Sequence, residues 1–313
     1  MDPLRFLSET RGFFLRREAR AAGTADKVLQ SGVRRKALVR VRQGAYCHAE
    51  VWREMSDAAR FLARSRAGYE LACGRVALSH ASALAAYGCP LWGVPLDRVH
   101  LMRLDDATSR YQAGITHHRA RLADGDVVDA DGWRVTSPAR TVVEALGLCS
   151  TEAGVVVGDW MLHQGLTTAT EVWDTKTRLN QMPGTLSLEV TLRLLDGASE
   201  SVGDSRNRHL FWVMGLPRPL LQHGIRDEDG RFVAVTDFAW PALGVYGEFD
   251  GRVKYGRLLQ PGQEPGDAVF AEKRREDDVR RVTGGTMVRW TWDDLHPHSA
   301  PSRQLRQLLR PAA

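Results

Sequence analysis

Along the chain, apolar side chains first recur at helical spacing and then switch to alternation. PLRFLSET (residues 3–10) predicts a short helix, and residues 16–22 a second that ends near Gly23. Thr24 is the expected N-cap of a third helix, TADKVLQSGVRRK, in which Ala25, Val28, Leu29 and Val33 share a face. In ALVRVRQGAYC, Leu38, Arg40 and Arg42 alternate with Val39, Val41 and Gln43, the period of a strand, and Gly44 closes it. Three helices and then a basic strand pair is the layout of a winged helix-turn-helix, expected over residues 1–55. On that layout Arg34, Arg35 and Lys36 end the helix that would enter a major groove, with Lys27 on the same helix. Arg40 and Arg42 share one strand face and would line a wing.

Residues 56–185 read as a mixed α/β region. Ser56 is a plausible N-cap for a helix to Ala72, and LSHASALAAYG gives a second helix that starts at Ser79 or His80. DRVHLMRL alternates as a strand. Ser137 before Pro138 predicts a helix over 139–146, and AGVVVGDWMLHQG continues helically. His117 and His118 are adjacent strand residues, so they point to opposite faces and do not suit one shared ion.

Residues 186–313 read as α-β-β-β-α-β. LSLEVTLRLL and DSRNRHLFWVMGL are helical, and LQHGIRDEDGRFVAVTDFAW is a hairpin turning at Asp229-Gly230. GVYGEFDG is the next strand, DAVFAEKRREDDVRRV a charged helix, and GTMVRWTW the last strand. If PALG is a four-residue loop, Trp240 pairs with Val245, and Asp237 then stands opposite Glu248, with Asp250 two residues on. Like charges directly across a strand pair are destabilising. A hard divalent ion with oxygen ligands, Mg²⁺ or Mn²⁺, is the simplest compensation. The alternative is that Asp237 caps a strand end and Glu248 pairs with an arginine. Lys254 would position water or stabilise phosphoryl charge. Asp204 would add a fourth carboxylate, and Arg208 a phosphate contact.

Composition narrows the picture modestly. Of 313 residues, 43% are hydrophobic and 26% charged, ordinary for a soluble globular protein, and no apolar run has the length of a membrane span. The first residues show no charged stretch leading into an apolar core, so no secretory signal is expected. The four cysteines form no CxxC pair, which argues against a disulfide or zinc framework and fits a reducing cytoplasm. Net charge is +5, yet residues 1–46 carry 11 Lys/Arg against 4 Asp/Glu, a net of +7, leaving −2 for the remainder. A basic end of this kind suits a polyanion such as double-stranded DNA.

GDSRNRHLFWVMGLPRP, VTDFAWP, EFDGRVKYG, AEKRRED and VRWTW together resemble the DUF559 proteins of actinobacteria, which are similar to very-short-patch-repair endonucleases of the PD-(D/E)XK superfamily. FFLRREARAAGTADKVLQSGVRRKALVRVRQGAYC resembles the winged-helix domain of AbiEi-type antitoxins of type IV toxin–antitoxin systems. ALSHASALAAYGCPLWG and RVTSPARTVVEAL resemble the middle region of the same actinobacterial proteins. The resemblance implies an α/β chain with a metal-dependent DNA endonuclease domain. Asp237 matches the first metal-binding aspartate and Glu248 the glutamate of the D/E-x-K element. Asp204 stands where relatives carry a helix glutamate. Asp250 occupies the position of the motif lysine, which Lys254 would replace. The resemblance also implies a cognate toxin or a second copy of the chain as protein partner. Two other functions suit the same residues: a DNA-reading regulator on a degenerate nuclease scaffold, and a module whose basic end binds an acidic protein.

Overall fold

The computed structural model describes residues 2–105, 108, 110–112, 114–179, 185–251 and 278–309. They form mixed α/β structure with three sheets. The chain makes two compact units: residues 1–150 with 166–188, and residues 151–165 with 189–313.

In the first unit, α1 (Pro3–Arg11) starts where the Asp2 carboxylate accepts the Leu4 N–H at 2.9 Å, with proline in the first turn. It stops at Gly12, whose φ of 80° is the left-handed conformation glycine adopts without penalty. Next come β1 (Phe14–Leu15), α2 (Arg16–Ala21), α3 (Asp26–Arg34), β2 (Leu38–Arg42) and β3 (Ala45–His48). The strands pair antiparallel in the order β1-β3-β2. Leu4, Phe14, Ala19, Leu29 and Tyr46 make their core. The N-cap of α3 is Ala25, which makes no side-chain cap bond, rather than the expected Thr24. Asp26 in the first turn bonds Arg16 instead.

The core of residues 1–55 runs on into the next helices without a break. Phe13, Leu15 and Ala45 pack with Ala63 and Ala67 of α5 (Asp57–Leu71), in one cluster of fully or nearly fully buried side chains. α4 (Ala49–Glu54) leads into α5, which is capped by Ser56 as expected. The rest of the unit is a six-stranded sheet. Its strands are β4 (Val76–Leu78), β5 (Val99–Arg103), β6 (Arg110–Gln112), β7 (Ile115–His118), β8 (Val127–Ala130) and β9 (Trp133–Thr136). Their order is β6-β7-β5-β4-β9-β8, with β5/β7 and β4/β9 parallel. α6 (His80–Ala86), α7 (Pro138–Leu146) and α9 (Ala169–Arg178) complete it.

In the second unit, α8 (Thr151–His163) joins α11 (Val202–Val213) and the larger part of α10 (Thr185–Leu194). The expected middle segment ending near 185 therefore loses α8 to the C-terminal unit. The reason is a buried ion pair: Asp159 of α8 meets Arg208 of α11 at 2.5 Å and accepts the Ser205 hydroxyl at 2.8 Å. The unit's four-stranded sheet consists of β10 (Leu220–Arg226), β11 (Phe232–Trp240), β12 (Val245–Phe249) and β13 (Thr286–Trp290), in that order. The first three are antiparallel, and β13 runs parallel to β12 after helical residues 278–283. The 220–240 hairpin turns where expected. Gly230 takes φ 79°, and the Asp227 carboxylate accepts the Asp229 and Arg231 N–H groups. α12 (Ala300–Leu308) closes over the sheet.

Phe211 of α11 centres this core, edge-on to Phe238, Trp240 and Trp290 at 5.1, 5.4 and 5.2 Å. Aromatic pairs add to the transfer energy of burying each ring. Phe211→Ala is accordingly expected to destabilise the C-terminal unit by ~3–5 kcal/mol in chemical denaturation. A loss under about 1 kcal/mol would show that the cluster does not organise the unit.

Candidate active site

The hairpin register places the carboxylates. Trp240 pairs with Val245, Ala239 with Tyr246 and Phe238 with Gly247. The pairing ends there, and beyond it the Asp237 carboxylate takes the Phe249 N–H rather than a paired position against Glu248. Asp204 arrives from the first turn of α11. There a capping box holds it: its carboxylate accepts the Ser201 N–H at 2.9 Å, and its own N–H donates to the Ser201 hydroxyl at 3.1 Å. The turn can approach because residue 203 is glycine; a Cβ there would fall 2.0 Å from the Phe249 ring. Asp204 is only 5% exposed, and among the described residues no ion pair neutralises it. Its pKa is pushed up to about 6, first by burial and then by the neighbouring Asp237 charge.

The other two carboxylates differ. Asp237 is half-buried and accepts the Phe249 N–H at 2.8 Å. Glu248 is buried and meets Arg289 of β13, its parallel register partner, at 3.1 Å. A guanidinium thus already faces Glu248, and Asp237 serves a strand end, as the alternative reading of the sequence has it. Asp250 is half-buried, with its N–H on the Trp290 carbonyl at 2.7 Å. Asp237, Glu248 and Asp250 do not form a trio with ligand atoms in mutual reach; among the described residues, only His80, His100 and His118 do. Lys254 lies outside the described residues. Arg208 is buried, and its guanidinium donates to Asp159, to Ser199 and to the Leu194 carbonyl, so it faces the protein interior rather than a phosphate.

Of the basic residues expected to meet DNA, Lys27, Arg34, Arg35, Lys36 and Arg40 are exposed. Arg42 is a correction. The β2/β3 pairing slips between Arg40 and Arg42, where Arg40 faces Tyr46 and Arg42 faces Ala45. One extra residue reverses the alternation, so the two arginines do not share a face. Arg42 turns inward, where burial lowers its pKa. It lines a cavity of about 530 Å³ with Arg75, Arg103 and His117.

His117 and His118 point apart as expected, but His118 has neighbours that no sequence pattern signals. His80 and His100 come from separate segments and stack with it, at 3.8 Å for His80–His118 and 5.2 Å for His100–His118. No spacing motif links the three; only the sheet order brings them together.

Compared with known proteins, the chain matches no family model and no curated protein sequence.

Asp204 supplies a stability test. Its pKa is higher folded than unfolded, so the folded state binds the extra proton between about 4 and about 6. Above that window the group is ionised in both states and its burial beside Asp237 destabilises the fold; the penalty fades as pH falls through about 6. Asp204→Asn keeps an acceptor for Ser201. It is expected to raise the melting temperature at neutral pH in chelator, with the advantage vanishing near pH 4. An advantage independent of pH would refute the coupling.

Proposed function

We infer that this chain is a DNA-binding protein whose C-terminal unit hydrolyses phosphodiester bonds with a divalent ion. The observation that carries this function is the Asp204–Asp237 juxtaposition, a buried carboxylate held beside a second one at a strand end. Structural carboxylates are ordinarily buried against a cation, as Asp159 and Glu248 are here. A like-charged neighbour raises energy without ligand and lowers it with one. The order α11-β10-β11-β12-helix-β13, with one parallel pair at its end, supports the nuclease-type reading because it agrees with the core that the DUF559 resemblance implies.

Asp204 and Asp237 would offer two oxygen donors to Mg²⁺ or Mn²⁺; among the described residues no third carboxylate is in mutual reach with them. Such an ion supplies acidified water and charge stabilisation on a phosphoryl group. The chain's own residues do the rest. The Ser201 capping box fixes the Asp204 carboxylate, and the Phe249 N–H orients that of Asp237. Lys254 is the proposed partner for the phosphoryl oxygens. Exposed Lys27, Arg34, Arg35, Lys36 and Arg40 would draw duplex DNA by its phosphates. Cytoplasmic residence belongs to this reading, as does a toxin or second copy as protein partner. Among the described residues, no helix is long and apolar enough to cross a membrane.

A regulator on a degenerate nuclease fold is the second reading, favoured by the Glu248–Arg289 pair and by Asp250 in the lysine position. A cleavage assay with Mg²⁺ and Mn²⁺ separates them. Asp237→Asn should lower cleavage by more than about 100-fold with DNA affinity unchanged. Wild-type protein that binds DNA but cuts with neither ion leaves the regulator. For the basic face, Arg34→Ala and Arg35→Ala should each reduce the salt slope of DNA binding by about 1, whereas Arg42→Ala should leave it unchanged. Equal effects at all three positions would count against the bulge-directed face.

A further inference from the structure

The histidine cluster lies in the first unit and is independent of the carboxylate site. His80 is the first residue of α6, directly after β4 and Ser79; His100 is on β5 and His118 on β7. His80 and His100 are buried, and His118 is half-buried, so the cluster opens to solvent on its side. His100 Nδ1 and His118 Nε2 lie 2.9 Å apart, and one ligand nitrogen from each of the three rings falls within 4.8 Å of the others. His80 sits at φ 51°, a conformation uncommon outside glycine, so the backbone there is held at a cost.

A carboxylate faces the His80 ring. Glu144 of α7 is 3% exposed, its Oε2 lies 3.4 Å from His80 Nδ1, and the His80 N–H and Thr136 hydroxyl also face it. Its other oxygen accepts from Arg140 Nε at 2.7 Å, and Arg140 in turn donates to Asp126 at 2.7 Å. The carboxylate is therefore held by a buried relay and set against His80, the arrangement by which outer partners orient metal ligands.

We propose that His80, His100 and His118 form a binding site for a borderline first-row divalent ion of the Zn²⁺ class, with Glu144 as the outer partner that orients His80. Three imidazole nitrogens suit such an ion in tetrahedral geometry with one position open, and do not suit Mg²⁺, which takes oxygen in an octahedron. Bonds of about 2.0 Å bring tetrahedral ligand atoms to about 3.3 Å from one another. Modest ring rotations close the 4.8 Å span and end the His80–His118 stacking. The proton between His100 and His118 moves to the other nitrogen of its own ring as the ion enters, a tautomer change that frees both lone pairs for the ion. The ligands tie the start of α6 to β5 and β7, and the fourth position, on the half-exposed His118 side, is left to water.

Untagged full-length chain, stripped with chelator and dialysed, is titrated with Co²⁺ and then Zn²⁺. One equivalent should bind with the intense visible bands of a tetrahedral centre, any further Co²⁺ belonging to the carboxylate site without such bands, and Zn²⁺ should displace that equivalent and raise the melting temperature. His118→Ala, at the half-exposed ligand, should weaken Co²⁺ at least about 100-fold, and Glu144→Gln should alter the band positions. His117→Ala should bind as wild type, and Asp237→Asn should keep the tetrahedral Co²⁺ bands unchanged, which separates this site from the carboxylate site. Circular dichroism of the metal-free variants checks that they are folded. Wild-type chain that takes up no equivalent, or a folded His118→Ala that binds with wild-type affinity and spectrum, overturns the proposal.

Discussion

A charge taken out of water needs a compensating charge, and that constraint organises this molecule. Arg140 lies at the centre of a relay with Asp126 and Glu144, Arg208 is buried against Asp159, and Glu248 faces Arg289. Breaking such a pair leaves an isolated charge in a poorly polarisable interior, at a cost of several kcal/mol. The pairs therefore determine which segments travel together. Asp204 stands apart, because the charge that perturbs it most is another carboxylate. The functional reading of the C-terminal unit depends on that contrast.

The same constraint accounts for the division of the chain. α8 is rich in small and apolar residues and would pack acceptably against many helices. Asp159 restricts the choice: its oxygens take the Arg208 guanidinium, the Ser205 hydroxyl and the Asp196 N–H. Three donors converging on one buried carboxylate specify a partner in a way that apolar contact does not. The two units thus differ in kind. The first carries exposed basic side chains on α3 and β2, together with a buried histidine cluster. The second sets the buried Asp204 of α11 beside the half-buried Asp237 of its hairpin.

Much was legible from local pattern. The three opening helices, the Ser56 cap, the Pro138 helix start and the 229–230 turn all appear, since each depends on contacts within a few residues. The Trp240–Val245 pairing was legible for the same reason: a four-residue loop leaves one register. The alternation of Arg40 and Arg42 misled, because a bulge adds a residue without any mark in composition.

By itself, the sequence determined the kinds and limits of most elements, the basic bias of its first part and the register of the hairpin that carries Asp237 and Glu248. Tertiary structure alone decided that Glu248 meets Arg289, that Arg208 is buried, that α8 belongs with α11, and that His80, His100 and His118 share one pocket. The physical reason is range. Periodicity and capping act over one or two turns of chain. Countercharges and ligand sets are chosen across a sheet, by strand order and by which buried group has nowhere else to turn.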